Sequence, residues 1–93
     1  MKKLVSKREI RRKRLFYLAR HRGTQEGDLV LGGFAERYLS EFGDDELDQF
    51  SALIEENDAD LMDWISGRAV IPTRLAGAVF TLILNYKNSL VRH

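Results

Sequence analysis

Residues 20–28 read Arg20-His21-Arg22-Gly23-Thr24-Gln25-Glu26-Gly27-Asp28, and this stretch decides how the chain is divided. Two arginines and a histidine stand at its front, a glycine follows, and two carboxylates stand at its back. Backbone dipoles add up along a helix, so cations favour its C-terminus and anions its N-terminus. Glycine takes the left-handed conformation that ends a helix without a steric cost. The stretch is therefore a turn between two helices, the first closing near Arg22 and the second opening near Glu26.

Apolar residues recur at helical spacing on both sides of this turn. The first helix is predicted over residues 7–22, with Ile10, Tyr17 and Leu18 on its inner face. The second is predicted over residues 26–41, where Leu31, Ala35, Tyr38 and Phe42 form one stripe. It contains Gly32 and Gly33, each about 1 kcal/mol worse than alanine inside a helix. Such a pair is tolerable where another helix packs closely. A third helix starts after Gly43, with Asp44 or Asp45 near its cap and Leu47, Phe50 and Ile54 inward. A short fourth helix runs from Asp58, its expected N-cap, to Gly67, with Leu61, Trp64 and Ile65 inward. The fifth spans residues 72–88 and opens on Pro72, a favourable first-turn residue. Its stripe of Leu75, Val79, Leu82 and Tyr86 is widened by Phe80, Ile83 and Leu84.

No stretch alternates in the manner of a strand. The expectation is an all-α, compact five-helix bundle, one domain over residues 1–93 with a flexible basic N-terminus at 1–6. The short connections favour antiparallel neighbours.

Composition narrows the function. The chain has no cysteine, which removes disulfides and thiolate metal sites. The longest apolar stretch, residues 76–84, is less than half of the ~20 residues a bilayer crossing needs, so no membrane insertion is expected. The basic N-terminus has no continuous apolar run and leads straight into the helical pattern. A bacterial cytoplasmic location is expected ahead of a mitochondrial matrix one.

Residues 1–22 hold ten Lys and Arg against one acid, Glu9, whereas the remainder holds five against thirteen acids. A basic end on an acidic body suits an anionic partner surface, a nucleic acid or a phosphate; it also suits a solvated helix end. His21 and His93 are the only histidines, and neither has spaced ligand partners. No nucleophile elbow, phosphate loop or dinucleotide fingerprint is present. Asp44, Asp45, Glu46 and Asp48 lack the glycine and terminal glutamate of a calcium loop, and suit helix capping. A binding protein is expected, and not an enzyme.

The turn at 20–28 admits two readings. It satisfies two helix ends, a sufficient structural reason for its composition. It also displays guanidinium groups, a bare backbone and a carboxylate together. Arginine grips a carboxylate or phosphate in a bidentate fork, and glycine permits close approach.

Residues 14–29, Arg-Leu-Phe-Tyr-Leu-Ala-Arg-His-Arg-Gly-Thr-Gln-Glu-Gly-Asp-Leu, carry an RGxxE pattern followed by an acid two positions on. Leu31 and Phe34-Ala35 continue the match, and residues 58–67 contain a D-x-DL-x-x-W segment. Over about residues 11–70 the chain resembles the succinate dehydrogenase assembly factor 2 family, also called SdhE or Sdh5. The resemblance implies a five-helix bundle. It implies a dedicated chaperone for the flavoprotein subunit of succinate dehydrogenase, and in some bacteria of fumarate reductase. Such a chaperone favours covalent attachment of FAD to a histidine of that subunit. It would hold no cofactor stably itself, act on the partner's FAD, and be a monomer when free.

The family's motif residues carry over as Arg22, Gly23 and Glu26. Asp28, Arg20, Arg14 and Trp64 complete the expected partner-binding set, although Trp64 also reads as a core residue. Gly27 departs from the family, which more often has a larger residue there, so a looser start to the second helix is expected. No functional residue is carried over beyond Pro72. The alternative is a small helical nucleic-acid-binding protein that uses its basic first helix.

Overall fold

Ser6 opens the first helix by accepting a hydrogen bond from the Glu9 amide at 3.0 Å. Residues 6–90 are described in this computed structural model, so the expected flexible segment lies outside the described residues except for Ser6, which is a cap. Five helices follow: α1 (Lys7–Arg20), α2 (residues 25–38), α3 (Asp44–Ile54), α4 (Asp58–Ser66) and α5 (Ala78–Leu90). Among the described residues there is no strand, and the bundle is all-α as expected.

α2 is not uniform. It starts as one α-helical turn (Gln25–Gly27), widens into a π-helical segment (Asp28–Gly32), and returns to α geometry (Gly33–Tyr38). A 3-10 turn (Leu39–Glu41) ends it. The two glycines lie where the wide segment closes, and both are tightly covered. The Arg20 side chain from α1 lies on Gly32, and the Tyr86 hydroxyl from α5 lies on Gly33. This is the close helix packing that excuses their low propensity.

The core is centred on Phe34, whose ring has Tyr38, Phe50, Phe42 and Tyr86 within 5.0, 5.6, 6.0 and 6.0 Å. Leu31, Leu47, Leu53, Leu61, Val79 and Ile83 are fully buried around it. Full burial of one such side chain contributes about 1.5–3 kcal/mol.

Three expectations need correcting. The inner face of α1 is Leu15 and Ala19, while Ile10 and Tyr17 are 57% and 61% exposed. The roll of the helix follows its arginines. Arg8 and Arg11 pair with Asp44 and Asp48 of α3 at 3.0 and 2.6 Å. Arg12 donates to the carbonyls of Leu39 and Phe42 at 3.2 and 2.7 Å. The acids that resemble a calcium loop are thus partners of α1 and caps of α3, where Glu46 accepts from the Gly43 amide at 2.7 Å.

The cap of α4 is Asn57, which accepts from the Asp60 amide at 2.8 Å; Asp58 is the first helical residue. Gly67 ends α4, as expected, and does so in the left-handed conformation. Finally, Pro72 precedes only a 3-10 turn (Thr73–Leu75), and α5 begins at Ala78. The reason is Gln49 of α3, whose side-chain oxygen accepts from the Val79 amide at 3.1 Å and so starts the helix there.

Candidate functional site

The site is the corner between α1 and α2. Leaving α1, the His21 amide donates to the Leu18 carbonyl, and the His21 ring stacks on Tyr17 with centroids 4.1 Å apart. Gly23 then turns the chain at φ +97°, with open space where a side chain would be. Thr24 caps α2, its hydroxyl accepting from the Gly27 amide at 3.1 Å.

Arg22 does not reach outward. Its side chain is only 8% exposed and is inserted between α3 and α4. The guanidinium donates to the carbonyls of Ile54 and Glu56 at 2.6 and 2.8 Å, and to Asp58 at 3.2 Å. Two carbonyls at the end of one helix and a carboxylate at the start of the next are thereby bound by one cation. Its charge suits both, since a helix C-terminus favours a cation. The grip that the residue type suggested is real, but its object is this chain's own α3–α4 junction.

Asp28 also turns inward. Its carboxylate accepts from the Arg22 amide at 2.6 Å and closes the corner on itself. Gly27 is buried, and a Cβ there would lie 2.7 Å from the Thr24 hydroxyl and 2.8 Å from an Asp58 oxygen. The start of α2 is therefore tight, against the looser start expected from this departure. A larger residue does not fit there unless Thr24 and Asp58 shift.

The outward residues are Gly23, Glu26, Arg20 and Arg14, all exposed. Arg20 lies over the Phe16 ring, 5.2 Å from its centroid. Next to this face a groove of about 260 Å³ is lined by Arg20, Asp28, Leu29, Gly32, Gly33, Glu36 and Tyr86. Leu29, one turn beyond Glu26, is strongly exposed beside it. Trp64 stands apart from the corner: it is half-buried and packed against the core. Among the described residues no group of three His, Cys, Asp or Glu could hold a metal ion, and no helix is long and apolar enough to cross a membrane.

Two members of the corner escaped the sequence reading as site residues, Thr24 and Asp58. Thr24 was detectable as an N-cap residue type just before Glu26. Asp58 lies 36 residues from Arg22, and nothing local indicates their pairing.

Comparison with known proteins bears on the same region. A fungal mitochondrial succinate dehydrogenase assembly factor 2 from Scheffersomyces stipitis is 48% identical over 56 residues, 60% of this chain and 38% of that protein. Its counterpart from Mycosarcoma maydis is 45% identical over 69 residues, 74% of this chain and 29% of that protein. The FAD assembly factor SdhE of Acetobacter pasteurianus is 39% identical over 66 residues, 71% of this chain and 61% of its own length. The chain thus matches less than two thirds of the length of each of these relatives. The Sdh5 family model, described as the flavinator of succinate dehydrogenase, matches residues 13–87 and so extends beyond residue 70. With four fifths of the sequence and the whole corner inside that match, the chain belongs to the Sdh5 family.

Proposed function

We propose that this protein is an assembly factor that binds the flavoprotein subunit of succinate dehydrogenase and promotes covalent attachment of FAD to it. The observation that carries the proposal is the locked corner. Arg22, Asp28 and Thr24 are held within the chain, and Gly23 and Glu26 are left facing solvent on a rigid support. A support of this kind reduces the ordering cost of binding. Family membership supports the choice of client.

The chain's role is to bind and orient. A binder that prefers the client's reactive conformer raises the population of that conformer. The flavin chemistry belongs to the client and its FAD. In this reading Glu26 and the Gly23 backbone touch the client, Arg20 and Arg14 border the contact, and Arg22 and Asp28 hold the corner from inside. The chain acts as a monomer, in the same aqueous compartment as its client, and without turnover of its own.

The nucleic-acid alternative has fewer cations to draw on than the composition suggests. Arg8, Arg11, Arg12 and Arg22 are all bound to groups of this chain.

The test is co-expression of the flavoprotein subunit with and without this chain, read by in-gel flavin fluorescence of the denatured subunit. A clear rise in covalent flavin is expected with the chain present. Equal fluorescence in both lanes sinks the proposal.

A further inference from the structure

Gly23 is the most permissive point in the corner, because a glycine at positive φ with open space around it resists neither side of its well. Among the contacts that hold its two neighbours, one pair ends on a single carboxylate. Asp58 Oδ1 accepts from Arg22 Nε at 3.2 Å, and Asp58 Oδ2 accepts from the Thr24 hydroxyl at 2.7 Å. Thr24 in turn accepts from the amide of Gly27, the residue directly after Glu26. The Asp58 side chain is only 19% exposed and is free for this use because Asn57 provides the cap of α4.

We infer that Asp58 is a positioning residue for client docking: by tying Arg22 and Thr24 together across Gly23, it fixes the direction in which Glu26 points. The inference rests on the proposed docking role of Glu26. Asp58 itself does not touch the client. It acts on the fraction of molecules whose corner is already in the binding arrangement, and apparent affinity scales with that fraction.

The consequence is a separation of effects. Asp58→Asn removes the charge and leaves one acceptor oxygen where two serve now, so Arg22 loses its ion pair and the Thr24 hydroxyl, facing an amide that can only donate, loses its acceptor. Arg22 keeps its bonds to the Ile54 and Glu56 carbonyls, and the corner stays attached on that side. The concentration of chain needed for half-maximal flavinylation then rises on the order of tenfold, as it does when the competent fraction drops to about a tenth. The rate at saturating chain stays the same.

A double-mutant cycle tests this. The full chain and its Asp58→Asn, Glu26→Gln and doubly substituted forms are titrated into the FAD-loaded flavoprotein subunit, with covalent flavin read by fluorescence. Circular dichroism checks the fold of each. Asp58 acting through Glu26 makes the double variant no worse than Glu26→Gln alone. If the two losses multiply, Asp58 is merely structural and the inference falls while the docking role of Glu26 stands. If Glu26→Gln has no effect, that role and the inference fall together. Should Asp58→Asn not fold, Thr24→Val takes its place in the cycle, with Thr24→Ser as the conservative rescue. Thr24→Val behaving like Thr24→Ser overturns the inference.

Discussion

The hydroxyl of Tyr86 occupies the space above Gly33 where any side chain at that position would begin. To clear it the Tyr86 ring would have to leave its edge-on contacts with Phe34 and Tyr38, at 6.0 and 6.5 Å. Helix propensity favours alanine over glycine by about 1 kcal/mol, but forcing a methyl into a packed site costs about 1–3 kcal/mol. Gly33→Ala is therefore expected to destabilise the protein in urea unfolding. Adding Tyr86→Phe removes the obstructing oxygen and should recover part of the loss, a non-additivity expected of residues in contact.

Arg22 is the second test of packing against display. Arg22→Ala strips three acceptors of their donor and leaves the Asp58 carboxylate largely buried without its cation. Breaking such a pair costs about 3 kcal/mol. Urea denaturation followed by circular dichroism should show the midpoint falling accordingly. A surface arginine that served only a partner would leave it unchanged.

Gly23→Ala isolates backbone strain from sterics. Nothing stands near the new methyl group, yet φ +97° is unfavourable for any residue with a Cβ. The cost is about 1–2 kcal/mol. For a domain of this size each kcal/mol lowers the melting temperature by roughly 4–8 °C. A thermal melt should thus show a clear drop with the helical signal of the folded state retained.

The α1–α3 contact should respond to acid. A hydrogen bond from Arg8, and then its charge, hold the Asp44 carboxyl below the ordinary carboxylate value. A group with a depressed folded pKa contributes stability that is present above its unfolded pKa and lost as pH falls through the folded one. Asp44→Asn should be less stable than the parent at neutral pH, and the gap should close below the usual carboxylate range. Both residues are well exposed, so the gap is expected to be small and to shrink in high salt.

The parts of the fold that were readable in the sequence are those with local causes. Gly23 turns the chain in the left-handed conformation its place after the first helix implies, and Gly67 ends α4 where the pattern stops. Leu47, Phe50 and Ile54 face the core as their spacing requires. The missed parts have distant causes. The π-helical segment at Asp28–Gly32 left no mark on the apolar spacing, since Leu31, Phe34, Ala35 and Tyr38 keep the i, i+3, i+4, i+7 pattern of one helix face. The start of α5 is set by Gln49, 30 residues earlier. Composition marked the corner at 20–28 as special. It could not say that Arg22 points in and Glu26 out, because Asp58 decides that from 36 positions away.

The wide turn at Asp28–Gly32 has one more effect. A π-helical turn carries an extra residue relative to regular α geometry, and each residue of an α-helix rotates the chain by about 100°. Removing a single residue between 28 and 32 would let the helix run straight and keep every hydrophobic position after it. Because the wide turn absorbs its extra residue within a single turn, the same deletion would also leave Glu26 close to its present heading, and the change would fall on the residues of the turn itself.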